Sequence, residues 1–216
     1  MKFRYAAAAL VSVALSAGCD NDPGKDKAKA HVSAPAVVQS VSADASTKLG
    51  FSSANGSKFD FVGAKVTGKQ EGSFGKFSGT VALVDGNPEK SKVDAEVEVE
   101  SLSTDAEKLT EHLKTPDFFD VAKFPTAHFA STAIRAGGEK GATHTITGNL
   151  ELHGVTKSIS FPARIKVSDD QLDADAEFTI NRNDFGIVYP GKQDDLIKDE
   201  VLIKLTIRAK TVFRRG

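Results

Sequence analysis

The sequence predicts an all-β domain built from antiparallel strands, and three observations support that prediction. First, apolar and polar residues alternate with period two along most of the chain from about residue 48 onward. Second, short turn sequences such as "HGVT" at 153–156 separate neighbouring runs, which is typical of antiparallel pairing. Third, the runs are apolar on one face, so the sheet must close on itself or stack on a second sheet.

The strands of this sheet can be placed from the alternation itself. In the five clearest segments, one set of alternate positions carries no charged or polar residue, while Asp, Glu, Lys, Arg, Thr, Ser and Asn dominate the other set. Two earlier strands are expected within 57–67 and 73–84. The five clearest segments are 93–101 (VDAEVEVES), 145–152 (TITGNLEL), 159–167 (ISFPARIKV), 172–180 (LDADAEFTI) and 201–209 (VLIKLTIRA).

The size of the apolar residues leaves two architectures open. Closure into a barrel of about eight strands removes unpaired edges and leaves room for side chains or one small ligand. Small residues on the inward face would then leave a space lined by hydrocarbon, which suits an apolar ligand better than water. The alternative is a two-layer sandwich with a dry core, in which the small residues face large partners. The small inward residues are Ala95, Gly148, Ala163, Ala174, Ala176 and Ala209.

One or two short helices are expected at about 104–121, near one end of the sheet. Thr104 and Glu107 have the spacing of a capping box, and "DAEKLTEHLK" continues as an amphipathic helix. The following "TPDFFDV" repeats a helix-start signal on a smaller scale, with proline at the first helical position.

An aromatic segment follows this helix. The stretch "PDFFDVAKFPTAHF" at 116–129 holds four phenylalanines between the helix and the next strand. If the sheet closes into a barrel, Phe118, Phe119 and Phe124 are placed to cover its open end or to contact a ligand inside it. The alternative is a satellite core beneath the helix.

The N-terminus predicts export and membrane anchoring. Residues 1–18 contain Lys2, Arg4, a short apolar run and small residues, as a signal peptide does. Cys19 is the only cysteine, and "LSAGC" resembles the cleavage motif of bacterial lipoproteins, in which the cysteine is acylated. An ordinary signal that ends beside an unmodified cysteine is the alternative. Residues 19–47 are then predicted to form a lipidated cysteine followed by a flexible tether, and residues 48–216 are predicted to form the folded domain.

Other classes of function find little support in the sequence. Without residues 1–18 the chain has 26 Lys and Arg against 29 Asp and Glu, a net charge of −3, so nucleic-acid binding is not expected. The five histidines show no metal-ligand spacing, and no nucleophile motif is present, so neither metal ligands nor catalytic residues are predicted. In "NRNDFG" at 181–186, Arg182 and Asp184 favour an ion pair or a capping role over catalysis. At the mouth of a cavity they could meet a polar head group.

Four long motifs stand out along the chain: "GSFGKFSGTV", "ESLSTDAEKLTEHLKTPDFFDVAKFPTAHFAST", "ITGNLELHGVTKSISFP" and "FTINRNDFGI". They resemble the YceI-like family of bacterial periplasmic lipid-binding proteins. The segments "VGAKVTGKQEGSFGKFSG" and "YPGKQDDLIKDEV" resemble its lipoprotein-type branch. The resemblance covers nearly all of residues 48–212 in order. It implies a lipocalin-like, eight-stranded antiparallel barrel whose apolar tunnel holds a long polyisoprenoid or similar lipid.

The resulting hypothesis is a binding protein that carries, stores or shields a lipid or isoprenoid quinone-type ligand on the periplasmic side of a bacterial membrane. It would be attached through acylated Cys19 or else be soluble in the periplasm. No cofactor is expected apart from the lipid, and a homodimer is left open. The alternatives are an enzyme acting on a lipid or quinone inside the barrel, and a structural protein with a filled barrel. The candidate tunnel-lining residues are Phe74, Phe77, Val97, Val99, Phe118, Phe119, Phe124, Phe129, Leu150, Leu152, Phe161, Phe178, Ile180, Ile203 and Leu205.

Overall fold

The computed structural model describes residues 22–38, 46–168 and 171–211. The predicted signal peptide and Cys19 lie outside the described residues. The described chain has one α-helix, α1 (Glu107–Lys114), and is otherwise mostly strand. The strands are β1 (Ala28–Lys29), β2 (His31–Ser33), β3 (Thr47–Ser52), β4 (Lys58–Lys65), β5 (Gly68–Phe74), β6 (Phe77–Val84), β7 (Asn87–Glu98), β8 (Leu102–Thr104), β9 (Thr126–Ala136), β10 (His144–Leu152), β11 (Val155–Ser168), β12 (Gln171–Asn181), β13 (Gly191–Lys192), β14 (Asp195–Leu196) and β15 (Glu200–Thr211).

The strands form a closed, eight-stranded antiparallel barrel, which confirms the predicted barrel over the sandwich. The pairs β3–β4, β5–β6 and β7–β8 each act as one bent strand of the wall, and β9, β10, β11, β12 and β15 supply the other five. Neighbours in the wall are neighbours in the chain. The barrel closes because β15 pairs with β12 on one side and with β3 and β4 on the other. The end that carries α1 and the segment 182–199 is called the capped end below.

Local sequence explains the tightest connection of the wall. The hairpin between β10 and β11 has a two-residue turn, because Leu152 pairs with Val155. Both turn residues, His153 and Gly154, have positive φ (53° and 72°), as the favoured hairpin turns require. The predicted turn at "HGVT" is therefore confirmed.

Phenylalanines on the inner face lie flat against glycines of neighbouring strands. A Cβ built at Gly148 would be 2.3 Å from the ring of Phe129 and 2.7 Å from the Ala130 carbonyl oxygen. At Gly79 the ring of Phe51 would be 2.2 Å away. Glycine at these positions thus lets large rings face the barrel interior without pushing the strands apart.

We expect Gly148→Ala to destabilise the barrel by about 1–3 kcal/mol, because the added methyl group meets a ring and a backbone oxygen that cannot both yield. Chemical denaturation of the purified protein measures this loss. Gly63→Ala on β4 is the matched control, since a Cβ there has no atom within 4 Å. Equal stabilities of the two variants would contradict the packing argument.

The prediction of a flexible tether up to residue 47 is wrong for residues 28–33. Lys29 and His31 are exposed, whereas Ala28 is buried and Ala30 and Val32 pack against the core. This is the period-two pattern of a strand, although three of its six residues are small. β1 pairs with β12 in parallel, and β2 pairs with β11. The partners lie over a hundred residues away, so local composition does not reveal them.

The predicted helix begins later than expected. α1 starts at Glu107 after Ala106, and the capping box does not form. Thr104 is instead the last residue of β8, which pairs with β5. The backbone N–H of Thr104 donates to the Thr110 hydroxyl at 2.9 Å. The proposed second helix is a series of hydrogen-bonded turns. It begins where the Phe118 N–H donates to the Thr115 carbonyl at 3.0 Å.

No helix in the described parts of the chain is both long enough and apolar enough to cross a membrane.

Candidate ligand-binding site

The barrel encloses an apolar cavity of about 210 Å³. It extends from the capped end, where Phe119, Ile187 and Arg182 line it, to the opposite end, where Pro88 and Ser91 line it. The walls between these ends are formed by the inward side chains of the strands. Since almost all of the lining is hydrocarbon, the cavity favours an apolar ligand over ordered water.

The structure places most of the predicted tunnel residues in the lining of this cavity. Alternation along the strands brings them there, because inward positions recur at every second residue. Their contact with a ligand stays a prediction. The predicted residues that line the cavity are Phe74, Phe77, Val97, Phe119, Phe129, Leu150, Leu152, Phe161, Phe178, Ile180, Ile203 and Leu205.

Three predicted residues do not line the cavity. Val99 begins a 3-10 turn, Val99–Ser101, which interrupts the strand and breaks the alternation. Phe118 packs on the outer side of the cap, with its ring 5.1 Å from that of His112 and 5.2 Å from that of Tyr189. The ring of Phe124 packs edge-on against that of His153, with centroids 4.7 Å apart. The satellite-core alternative is therefore correct for Phe118, which packs against His112 of α1, whereas Phe124 packs against the turn between β10 and β11.

Phe118 and Phe119 are adjacent in sequence but pack in different places. Phe119 reaches the cavity and packs edge-on against Phe74, with ring centroids 6.0 Å apart, whereas Phe118 is 6% exposed in its own cluster. We expect Phe118→Ala to cost about 3–5 kcal/mol of stability and to leave the cavity lining intact. Phe119→Ala should instead enlarge the cavity and speed the release of a bound ligand.

Thermal unfolding and the dissociation rate of a fluorescent fatty acid, measured on both variants, separate these effects. A Phe118→Ala protein that keeps its stability and releases the fatty acid faster would contradict the assignment.

Aromatic rings line the cavity in two groups, one around Phe74 and one around Phe161. The rings of Phe59 and Phe74 are 4.9 Å apart, and Phe161 and Phe178 stack at 4.2 Å with planes 13° apart. Phe59, Phe61 and Phe51 line the cavity although they were not among the predicted residues. The alternation in "KFDFVGA" places Phe59 and Phe61 on one face and could have identified them.

Arg182 lies at the capped end and is 6% exposed. It begins a 3-10 turn, Arg182–Phe185, and its guanidinium ties down the segment that follows. Its Nη1 donates to the Ile187 carbonyl at 2.7 Å and its Nε to the Lys198 carbonyl at 3.2 Å. Its Nη2 donates to the Asp199 carboxylate at 3.2 Å and to the Ile197 carbonyl at 3.5 Å.

The charge on this arginine is partly compensated. Burial lowers the pKa of the Arg182 guanidinium, and the charge and hydrogen bond of Asp199 act in the opposite direction. One hydrogen on Nη1 has no acceptor among the described residues, because a guanidinium carries five donors and four hydrogen bonds are formed. Arg182 is thus both a structural tie and a lining residue of the cavity.

Asp184 does not share this position. The 3-10 turn rotates it away from Arg182, so it is exposed and lies outside the lining of the cavity. Residues two apart share a face only in extended chain, so the predicted place of Asp184 at the cavity mouth is wrong.

Among the described residues no group of three or more His, Cys, Asp or Glu side chains is arranged to hold a metal ion. The lining of the cavity likewise brings together no nucleophile, base and orienting group. The arrangement fits binding of an apolar molecule.

The closed antiparallel barrel with an apolar interior places this chain in the class of lipocalin-like binding folds. The family model described as "YceI-like domain" matches residues 26–209, and the chain belongs to this family. The matched region begins at residue 26, so it includes β1 and β2.

Relatives and solved structures agree with this assignment. A UPF0312 protein of Pseudomonas putida (strain W619) is 34% identical over 139 residues, which is 62% of this chain and 71% of the relative. A solved structure of Burkholderia cenocepacia BcnA has a TM-score of 0.63 and 23% identity, over 72% of this chain and 98% of the other. A polyisoprenoid binding domain from Saccharophagus degradans has a TM-score of 0.60 and 13% identity, over 77% and 99%. At these identities the two structures show the shared fold.

Proposed function

We infer that this protein binds a long apolar ligand, a polyisoprenoid or similar lipid, inside its barrel. The observation that carries the proposal is a cavity lined almost wholly by hydrocarbon along the length of a closed barrel. Burial of such a ligand is favourable by about 25 cal/mol per Å² of apolar area, so tight binding needs few polar contacts. The polyisoprenoid binding named for the structural neighbour from Saccharophagus degradans supports the choice of ligand class.

The cavity also indicates how it would accept a long chain. Its volume of about 210 Å³ is below the usual range of roughly 300–1,000 Å³ for ligand pockets. A long ligand must therefore displace side chains. The phenylalanine rings that line the cavity, among them the stacked rings of Phe161 and Phe178, could make this space by rotating about their side-chain bonds.

A polar head group has one candidate partner. Arg182 lines the cavity at the capped end and keeps one Nη1 hydrogen without an acceptor among the described residues. A pyrophosphate, carboxylate or quinone oxygen could accept this hydrogen bond, which would set the orientation of the ligand.

The biological role that fits this site is carriage, storage or shielding of the lipid on the periplasmic side of a bacterial membrane. The export signal at 1–18 and the lipoprotein-like motif before Cys19 support that location. Acylation of Cys19 would keep the barrel beside the membrane that supplies its ligand. We infer a binding protein and no enzyme, because the lining of the cavity offers no catalytic grouping.

Mass spectrometry of the organic extract tests this proposal. The protein is expressed with its own signal, recovered from the periplasm or membrane and purified once with and once without detergent. We expect about one isoprenoid or other long-chain molecule per protein, and an intact mass that includes acyl chains on Cys19. Folded protein that yields no lipid, even after incubation with membrane lipids, would overturn the proposal. A Cys19→Ser variant controls for lipid that belongs to the anchor.

A further inference from the structure

The barrel wall is interrupted between β11 and β12. These strands pair from Ser168 and Gln171 only as far as Arg164 and Asp175. Had the register continued, Phe161 would lie opposite Phe178. Instead the strands separate toward the capped end, and the N-terminal segment Ala28–Ser33 fills the gap. We call this segment the closing strand.

The closing strand pairs with both edges of the gap. Ala28 and Lys29 pair with Phe178 and Thr179 of β12 in parallel, and the Ala30 N–H donates to the Thr179 carbonyl at 2.8 Å. His31–Ser33 pair with Ser158–Ser160 of β11 in the antiparallel direction. Since paired strands lie about 4.8 Å apart, removing one strand from between two others leaves an opening about 10 Å wide between their backbones.

The gap lies directly over the cavity. Its edges are formed by the inward residues Ile159 and Phe161 of β11 and Phe178 and Ile180 of β12, and all four line the cavity. Behind the closing strand the rings of Phe161 and Phe178 stack across the gap. The opening would therefore lead to these two rings and to the cavity that they line.

The closing strand is attached less securely than the rest of the wall. Two of its residues pair with β12 and three pair with β11, whereas β12 and β15 pair with each other along the whole of Gln171–Asn181. The charged contacts on it and just before it, Lys29–Glu200 at 3.3 Å and Lys27–Glu177 at 2.7 Å, are partly solvent-exposed and contribute little. Segments with few buried contacts and short hydrogen-bonded ladders open first.

When the N-terminal segment is in place over the gap, one buried hydroxyl group has no hydrogen-bond partner among the described residues. Thr179 faces the outside of the barrel but is 1% exposed, because the N-terminal segment covers it. Its Oγ1 is buried without a hydrogen-bond partner among the described residues, and a Cβ at Gly24 would be 2.4 Å from its methyl group. Moving the N-terminal segment that covers Thr179, from Gly24 onward, would give this hydroxyl a water partner, which favours the open state relative to an apolar contact.

We propose that the closing strand is a removable part of the barrel wall, and that the gap it fills between β11 and β12 is the entrance through which a long apolar ligand reaches the cavity. The capped end is a poorer route, because Arg182 fastens its covering segment with four hydrogen bonds. This proposal rests on the proposed function, since it concerns the same cavity.

A reversible crosslink tests the entrance. Ser33 pairs with Ser158, so Ser33→Cys with Ser158→Cys allows a disulfide that locks the closing strand to β11. Glu151→Cys with Thr156→Cys, a paired and exposed couple on β10 and β11, is the matched control on a seam that is already continuous. Both are made in the full chain with Cys19→Ala, which removes the one natural cysteine.

Stopped-flow fluorescence with parinaric acid, a polyene fatty acid, gives the rate of uptake. We expect the oxidised Ser33–Ser158 pair to slow uptake at least tenfold, reduction to restore it, and the control pair to have no effect. If the oxidised, crosslinked protein took up the fatty acid as fast as its disulfide-reduced form, the proposed entrance would be overturned while the proposed function would stand. Absence of binding in every form, together with an empty lipid extract, would overturn both.

Two further variants test the proposed entrance without a crosslink. Thr179→Val replaces the unsatisfied hydroxyl by a methyl group of similar size, so it should stabilise the closed strand and slow uptake several-fold. Gly24→Ala places a methyl group against Thr179 and should speed uptake. Hydrogen exchange checks that both barrels stay folded, and residues 28–33 should exchange faster than the β12–β15 seam. Equal exchange in the two regions would contradict a removable strand.

Discussion

Replacement of Arg182 by methionine is expected to lower the free energy of unfolding by about 3–5 kcal/mol. The guanidinium is buried and donates to the carbonyl oxygens of Ile187, Ile197 and Lys198 and to the Asp199 carboxylate. Methionine fills a similar volume but donates no hydrogen bond. The segment 186–199 would lose the tie that holds it over the capped end, so its backbone should open to proteases.

Urea denaturation and limited proteolysis of the folded protein measure these two effects. Arg208→Met is the matched control. Arg208 pairs with Asp175 at 3.0 Å and with Asp173 at 3.7 Å on the barrel surface, where such ion pairs contribute about 1 kcal/mol or less. If the two variants lost equal stability, or if 186–199 stayed protected in Arg182→Met, Arg182 could not be the tie we describe.

Filling the cavity is expected to abolish ligand binding without unfolding the protein. Ala174 and Ala176 line the cavity on β12 and are only partly buried, although their side chains face inward. The double change Ala174→Leu and Ala176→Leu should occupy the cavity with hydrocarbon. It should reduce the affinity for a long-chain ligand by more than tenfold and change stability by about 1–3 kcal/mol at most.

Fluorescence titration with parinaric acid, with lipid extraction from the purified variant, measures the loss of binding. Thr206→Leu is the control, because it places a leucine side chain on the outer side of β15, next to the lining residue Leu205. A double variant that still co-purifies with a stoichiometric lipid would show that the ligand lies elsewhere on the protein.

The strands and their inward faces could be predicted from residue alternation. A strand exposes successive side chains to opposite sides, so a core on one side selects apolar residues at every second position. Segments such as 172–180 and 201–209 follow this rule, and β12 and β15 run from Gln171 to Asn181 and from Glu200 to Thr211. The same rule identified most of the cavity lining, including Phe161 and Phe178.

The errors fall where the backbone leaves the strand period. Val99 begins a 3-10 turn and is buried without lining the cavity, and Asp184 lies within another 3-10 turn and is exposed. Phe118 and Phe124 lie in irregular chain, where adjacent aromatic residues can serve different cores. The distinction between Phe118 and Phe119 depends on packing against Tyr189 and Phe74, which are distant in sequence.

The sequence by itself determined that this chain is an antiparallel β protein with a hydrocarbon interior, because side-chain alternation is a local property of a strand. Only the tertiary structure decided how the wall closes and what covers the cavity. Residues 28–33 become part of the wall because β11 and β12 separate and leave donors and acceptors that a third strand must pair. Arg182 is buried because carbonyl groups from residues 187–198 converge on it. Both depend on partners that meet only after folding.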